Sequence, residues 1–255
     1  MIFYFTATGN SLQASELVAT QLKDELISIP AAIAENRFTY CVKEGESVGF
    51  IFPVYFYGIP TILAEFVSKL ELQGEKDPYL FLILNCGGNT GIAGRMFGKR
   101  LKSRGYRLSA IHSVAMVENY ILMYPVTKQE KQEEVLDLAE QQLKEICNKL
   151  RNREKGNFDE LKGRAAGLLT KVAYPFYAYG RKTKKFYADE KCTRCGLCQR
   201  ICPSHAIEVT KEGPVWKRER CIHCLGCIHR CPTAAIQYGK ATINRGRYVN
   251  PRVKL

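Results

Sequence analysis

The chain has 255 residues, of which 46% are apolar and 25% are charged. These proportions are typical of a globular protein with one or two domains and exclude a disordered chain. No apolar run approaches the roughly 18 residues that a membrane span needs. The apolar start, Met1–Phe5, lacks the charged segment and the cleavage site of a signal peptide. We therefore expect a cytoplasmic protein without a transmembrane segment.

The formal net charge of +13 is distributed unevenly along the chain. Residues 1–150 carry 15 Lys or Arg and 17 Asp or Glu, a net charge of −2. Residues 151–255 carry 23 Lys or Arg and 8 Asp or Glu, a net charge of +15. Such an asymmetry between two halves predicts two parts with separate functions.

The first 150 residues alternate short apolar runs with helical patterns. The runs predict five β-strands, at Ile2–Phe5, Leu26–Ile29, Val48–Val54, Tyr79–Leu84 and Leu108–Val117. Helical patterns separate these strands, and a long amphipathic helix follows at Lys128–Leu150. This order predicts an α/β fold, a doubly wound parallel sheet with helices on both faces. Ligands of such sheets bind beyond the carboxyl ends of the strands, where the strand order reverses.

Residues 151–185 are a basic connector with ten Lys or Arg and three acidic residues. Within the connector, Ala165–Gly180 carries an aromatic stripe with two interpretations. It is either an amphipathic helix on a membrane surface or, as we favour, a helical linker whose aromatic face packs between the domains. Pro175 is expected to kink or end a helix there. The chain then continues into a cysteine-rich domain, residues 186–239, and a basic tail, residues 240–255.

The cysteine-rich domain contains an internal repeat with a period of 29 residues. Both copies have the form C-x2-C-x2-C-x3-C-P, in which the first three thiolates wrap one [4Fe–4S] cluster and the fourth ligates the other. The first three cysteines of the first copy and the fourth of the second copy are the cluster 1 cysteines, Cys192, Cys195, Cys198 and Cys231. The first three of the second copy and the fourth of the first copy are the cluster 2 cysteines, Cys221, Cys224, Cys227 and Cys202. Structural zinc is the alternative, but zinc domains use two separated cysteine pairs.

Two histidines lie between these cysteines. His223 and His229 are expected to point to the surface or to the sulfur atoms rather than to bind a metal. Two short runs between the repeats, Ala206–Thr210 and Pro214–Lys217, predict a hairpin. Over about 50 residues the sequence resembles the bacterial two-cluster ferredoxins.

A polar loop follows the first predicted strand and opens the first helix. Its candidate ligand-binding residues are Thr6, Thr8, Gly9, Asn10 and Ser11. Hydroxyl groups and N–H groups at a helix N-terminus can bind a phosphate without Lys or Arg. The alternative is that the loop only caps the helix.

This loop resembles the phosphate loop of flavodoxins, T/S-x-T-G-x-T/S, and the resemblance implies FMN. Two further loops are expected to enclose the isoalloxazine ring, one after the third strand and one after the fourth. The residues of the first are Pro53, Val54, Tyr55, Phe56, Tyr57 and Gly58, and those of the second are Asn85, Cys86, Gly87, Gly88, Asn89 and Thr90. Unlike short-chain flavodoxins, the chain lacks an acidic second loop.

A flavodoxin half joined by a basic linker to a two-cluster ferredoxin half resembles the EFR-type flavodoxin–ferredoxin fusion family over the whole chain. The resemblance implies an electron-transfer protein that passes electrons between FMN and two [4Fe–4S] clusters. We expect external redox protein partners with acidic surfaces and no nucleic acid. The alternative is a flavin-dependent oxidoreductase that reduces a small acceptor such as a quinone. No residue is assigned a catalytic role, and no G-x-G-x-x-G motif indicates an NAD(P)H site.

Overall fold

A computed structural model describes residues 1–255. The chain forms twelve short strands and eight helices. The strands are β1 (Ile2–Tyr4), β2 (Leu26–Ser28), β3 (Thr39–Val42), β4 (Ser47–Pro53), β5 (Glu71–Gly74), β6 (Tyr79–Cys86), β7 (Leu108–Ala115), β8 (Gly156–Phe158), β9 (Phe186–Ala188), β10 (Ile207–Val209), β11 (Pro214–Trp216) and β12 (Ile236–Tyr238). The helices are α1 (Asn10–Leu22), α2 (Ile29–Ala34), α3 (Thr61–Lys69), α4 (Ala93–Lys102), α5 (Gln129–Arg151), α6 (Ala166–Gly180), α7 (Leu197–Arg200) and α8 (Gly226–His229).

Six strands form one parallel sheet in the order β2-β1-β4-β6-β7-β8. Strands β3 and β5 pair only with each other. When β3 and β5 are left out of the numbering, the first five strands of the large sheet have the flavodoxin-like order 2-1-3-4-5. The sixth strand, β8, is added at the edge next to β7. The order reverses between β1 and β4, so the loops after these two strands flank the position where such a sheet binds ligands.

The added strand β8 corrects the predicted count of five strands. It lies inside the predicted connector and pairs with β7, where Ala110 is opposite Gly156 and His112 is opposite Phe158. Three residues are too few to show a period-two pattern in the sequence. The sheet therefore extends beyond residue 150.

Helices cover both faces of the sheet and enclose two apolar layers. The layer under α2, α3 and α4 contains 24 buried residues, and the layer under α1 and α5 contains 19. Each layer includes one residue from residues 151–255, which is Ile222 in the first layer and Tyr248 in the second. Both side chains are buried, so the two halves share their apolar interior.

Helix α6 joins the two halves. It runs through Pro175 to Gly180, so the helix does not end at this proline. Two hydrogen bonds hold the part of the helix that precedes the proline: the Thr170 hydroxyl donates to the Tyr57 carbonyl at 2.9 Å, and the Tyr174 hydroxyl donates to the Ile59 carbonyl at 2.8 Å. None of the eight helices has the length and apolar character of a membrane span.

The cysteine-rich part is built from two small antiparallel pairs of strands. Strands β10 and β11 form the hairpin between the two cysteine repeats, and β9 pairs with β12. The Phe186 ring of β9 stacks on the Trp216 ring of β11 with centroids 5.4 Å apart. This aromatic contact joins the two pairs beside the cysteine loops.

Candidate functional site

The cysteines of each predicted cluster lie near one another. Burial raises the pKa of the Cys198 thiol, and the neighbouring sulfurs of Cys192, Cys231 and Cys195 raise it further. All four line one small cavity. The fourth cysteine of the second repeat therefore stands beside the first three of the first repeat, as crossed ligation requires.

The other four cysteines form a second, more deeply buried group. Burial raises the pKa of Cys224 to about 12, and the sulfurs of Cys221 and Cys202 add to the shift. Burial also raises the pKa of Cys227 well above its usual range, with Cys224, Cys221 and Cys202 again as neighbours. Cys198 also acts on Cys227, so the two groups adjoin each other.

No three His, Cys, Asp or Glu side chains of the structure are close enough together to hold a single metal ion. The four thiolates of a [4Fe–4S] cluster bind four different irons, so they do not need to meet at one point. The spacing of the two groups is therefore compatible with clusters.

A cavity of about 890 Å³ lies at the carboxyl edge of the sheet. We call it the edge cavity. Eleven of the predicted flavin-binding residues line it, namely Asn10, Pro53, Val54, Tyr55, Phe56, Tyr57, Asn85, Cys86, Gly87, Gly88 and Asn89. The remaining six do not, namely Thr6, Thr8, Gly9, Ser11, Gly58 and Thr90.

The polar side chains of the first loop bond to protein groups. The Thr8 hydroxyl accepts a hydrogen bond from the Asn119 amide at 2.7 Å, and the Ser11 hydroxyl donates to Asn85 Oδ1 at 2.6 Å. The Thr6 hydroxyl accepts from the Gly9 N–H at 3.1 Å. These three hydroxyl groups, which were predicted to bind the phosphate, therefore bond within the protein and shape the loop. The first turn of α1 has no side-chain cap. Its backbone N–H groups are the remaining anion-binding groups at this end of the helix.

The loop after β4 contains a strained turn. Tyr55 and Gly58 exchange two backbone hydrogen bonds, and the residues between them, Phe56 and Tyr57, have φ of 49° and 62°. Turns of this type normally use Asn or Gly, because left-handed backbone costs other residues about 1–3 kcal/mol each. Aromatic side chains are held here at a conformational cost, which is a feature of ligand-binding loops.

Two predicted residues of these loops have other roles. A Cβ at Gly58 would lie 2.3 Å from Cδ2 of Tyr174, so this glycine lets α6 approach the loop. The Thr90 hydroxyl donates to Asp159 at 2.6 Å and fixes the segment after β8. Cys86 does line the cavity, but burial raises the pKa of its thiol to about 12, so the thiol stays protonated.

The sequence did not predict the rest of the lining. It comes from the segment after β7, from α6 and from the second cysteine loop; the residues are Val117, Glu118, Asn119, Tyr120, Met123, Tyr124, Leu169, Val172, Ala173, Phe176, Tyr177, His223, Cys224 and Leu225. Cys224 is one of the cluster 2 cysteines, so one wall of the cavity carries a predicted cluster ligand. Glu118 is the only Lys, Arg, Asp or Glu in the lining, and its Oε1 accepts from the N–H groups of Asn119 and Tyr120.

Tyr177 joins the two halves at this cavity. Its hydroxyl accepts from the Thr61 N–H and donates to the Ile222 carbonyl, both at 3.1 Å. Its ring stacks on Phe56 with centroids 6.0 Å apart and meets the Tyr55 ring edge-on at 5.5 Å. The aromatic loop, α6 and the second cysteine loop therefore meet at one side chain.

The two histidines were expected to point to the surface or to the sulfur atoms, and both are buried, which rules out the first of these positions. Tyr248 donates its N–H to Nδ1 of His229 at 3.1 Å, so Nε2 carries the proton and donates to the Asn119 carbonyl at 2.8 Å. Burial lowers the pKa of His229 to about 4, which keeps the ring neutral. His223 is also buried and packs against the rings of Phe186 and Tyr238.

The C-terminal tail contacts the first loop directly. The Tyr248 hydroxyl donates to Asn10 Oδ1 at 2.6 Å, and the Asn250 amide donates to the same oxygen at 3.1 Å and to Gln13 Oε1 at 2.7 Å. The Asn250 N–H donates to the Thr8 carbonyl at 2.7 Å. Gly9 has φ of 105°, and a Cβ there would lie 2.8 Å from the Asn250 Cβ. The tail therefore holds Asn10, the residue of this loop that lines the cavity.

Arg252 anchors the tail to α5. Its guanidinium contacts Glu133 at 3.1 Å, Asp137 at 2.6 Å and Glu140 at 2.7 Å. Burial opposes the charge, but the hydrogen bonds to these carboxylates outweigh it and raise the pKa of Arg252. Glu133, Asp137 and Glu140 follow each other at helical spacing, so one face of α5 receives the tail.

Residues 191–235 match the family model of the 4Fe-4S dicluster domain. Among solved structures, the chain is similar to the Trp repressor binding protein from Bacillus subtilis, with 13% identity, a TM-score of 0.36, and coverage of 55% of this chain and 96% of that one. It is also similar to an azoreductase from Bacillus anthracis str. Sterne, with 14% identity, a TM-score of 0.35, and coverage of 58% of this chain and 98% of that one. A third similar structure is the azoreductase AzrA, with 13% identity, a TM-score of 0.35, and coverage of 58% of this chain and 99% of that one. No curated protein sequence matches the chain.

The C-terminal part of the chain is therefore a 4Fe–4S dicluster domain. It is attached to a six-stranded parallel α/β sheet whose strand order is flavodoxin-like.

Crossed ligation predicts the outcome of a single cysteine substitution. Cys202→Ser should damage the cluster whose other ligands are Cys221, Cys224 and Cys227, because Cys202 is the fourth cysteine of the first repeat but stands in the second group. Iron content and electron paramagnetic resonance of the reduced protein measure this loss. Cys41→Ser, at an exposed cysteine outside both groups, is the control. Damage confined to the cluster 1 cysteines would show that the ligation is not crossed.

The tail contacts predict that Asn250→Ala weakens flavin binding. The substitution removes the side-chain bonds to Asn10 and Gln13, and loss of about 1 kcal/mol per bond corresponds to a five- to thirtyfold rise in the dissociation constant. Titration of the apoprotein with FMN, followed by quenching of flavin fluorescence, measures it. Asn244→Ala, at an exposed asparagine of the same tail, is the matched control. Equal affinities of the two variants would contradict a role of Asn250.

Proposed function

We propose that the protein transfers electrons between an FMN in the edge cavity and two [4Fe–4S] clusters, and from these to external redox proteins. The single observation that carries the proposal is the composition of the cavity wall. Loops at the carboxyl edge of a flavodoxin-like sheet and Cys224, a cluster 2 cysteine, line the same space. A flavin in this space would have a cluster ligand as its neighbour.

The edge cavity suits FMN in size and in chemistry. Its volume of about 890 Å³ is within the range of about 300–1,000 Å³ of small-molecule sites. The rings of Tyr55, Phe56, Tyr57, Tyr120 and Tyr177 offer faces for a planar ring system. The absence of Lys and Arg from the lining leaves the uncapped start of α1 at Asn10 as the group that favours a phosphate.

A bound flavin accepts two electrons and releases them singly, while each cluster carries one. The residues of this chain supply the surroundings for that exchange. Tyr177 and Ile222 fix the second cysteine loop against the sheet, and most of the residues that line the cavity are apolar. The cluster 1 cysteines lie further from the cavity, because none of them lines it. This arrangement supports a path in which cluster 2 passes electrons between the flavin site and cluster 1.

A second function, reduction of a small acceptor at the flavin, is favoured by the open side of the cavity. Phe176, Met123 and Tyr124 line the cavity and are 70, 56 and 49% exposed. An apolar molecule could enter between them. Turnover of a quinone by the reduced protein would support this function, and electron delivery only to another redox protein would support the carrier function.

The proposal predicts the cofactor content of protein purified without oxygen. We expect about eight irons, about eight inorganic sulfides and one FMN per chain, because two [4Fe–4S] clusters use all eight repeat cysteines. Iron, sulfide and extracted flavin are measured on the same sample. Zinc in place of iron would refute the clusters, and protein with full iron that does not bind added FMN would refute the flavin site.

A further inference from the structure

Helix α6 presents an apolar outer face to solvent. The face consists of Leu168, Leu169, Val172, Phe176 and Tyr179, which are 64, 38, 58, 70 and 70% exposed. At helical periodicity these positions lie within an arc of about 100°. The opposite side of the helix, with Thr170, Tyr174 and Tyr177, packs against the two halves of the protein. Five large apolar side chains together on one exposed helix face mark an interaction surface.

The outer face continues to the mouth of the edge cavity. Leu169, Val172 and Phe176 belong to the face and also line the cavity. Met123 and Tyr124, from the segment after β7, also line the cavity and are exposed. The cavity therefore opens through an apolar rim, and whatever covers the outer face also covers this opening.

Basic residues surround the apolar strip. Residues 161–188 contain seven Lys or Arg and no Asp or Glu. Lys162 and Arg164 precede α6, and Lys182, Lys184 and Lys185 follow it; all five are exposed. Protein–protein interfaces are depleted of lysine. A helix with an apolar face and flanking lysines instead has the composition that binds anionic lipid surfaces.

We propose that the outer face of α6, together with Met123 and Tyr124, docks on the surface of a lipid bilayer that contains anionic lipids. The apolar side chains enter the boundary of the acyl chains, and the flanking lysines contact the headgroups. The helix lies along the surface and does not cross it. Docking turns the rim of the edge cavity toward the acyl chains, so an apolar redox molecule can enter the cavity from the lipid without crossing water.

Vesicle flotation of the intact protein, purified without oxygen, tests the docking. The protein should float with vesicles of phosphatidylcholine and phosphatidylglycerol and remain behind with vesicles of phosphatidylcholine alone. Added salt should release it, because exposed charges are screened. This measurement does not depend on FMN, so a failure of docking is distinguishable from a failure of the proposed flavin site.

Two double variants separate the apolar and the electrostatic contributions. Leu168→Gln with Tyr179→Gln changes the outer face at residues that do not line the cavity, and we expect at least a tenfold loss of partitioning. Lys184→Gln with Lys185→Gln should lower partitioning by about thirtyfold. The control is Leu138→Gln, at a leucine of α5 that is 56% exposed and distant in sequence from the face.

The docking is supported if the Leu138→Gln control floats with the anionic vesicles as the parent protein does and both double variants float less. Far-ultraviolet circular dichroism of each variant reports whether it has folded, and the lysine variant decides the question if the apolar variant has not folded. The proposal is overturned if the parent protein floats with neither vesicle type, or if both double variants float as the parent does. The first of these results would assign the face to a protein partner.

Discussion

The two halves of this protein share their apolar interior, and the geometry of the site depends on this. Ile222, between two cluster 2 cysteines, is 6% exposed and lies in one apolar layer of the N-terminal sheet; Tyr248, from the tail, is 1% exposed and lies in the other. Burial of such a side chain contributes about 1.5–3 kcal/mol. Separation of the halves would expose both residues, so the dicluster domain stays at the carboxyl edge of the sheet.

This shared interior explains why the edge cavity has walls from both halves. Tyr177 closes the joint, because its hydroxyl bonds to Thr61 of the sheet half and to Ile222 of the cysteine half. The ring of His229 links Asn119, which lines the cavity, to Tyr248 of the tail. Two cofactors held in separate tethered domains would meet intermittently, whereas these contacts keep the cavity and the second cysteine loop together.

The sequence predicted those features that are encoded by local patterns. The cysteine repeat, the parallel sheet and the loops after its strands are readable because spacing and periodicity act over a few residues. The contacts of Asn250 with Asn10 join residues 240 positions apart, and no local pattern encodes them. Strand β8 is too short to show a period. Gly58 was predicted to contact the flavin, whereas it packs against Tyr174 of α6, a neighbour that is distant in sequence and that no local pattern indicates.

In the proposed function, electrons pass between the flavin and a cluster within one chain. The most direct measurement is light-induced reduction of the flavin in the intact protein, with the bleaching of cluster absorption recorded over a range of protein concentrations. We expect bleaching at a rate that is independent of protein concentration. A rate proportional to concentration would show transfer between molecules, and reduced flavin beside unbleached clusters would show no transfer. Either result would refute electron transfer within one chain.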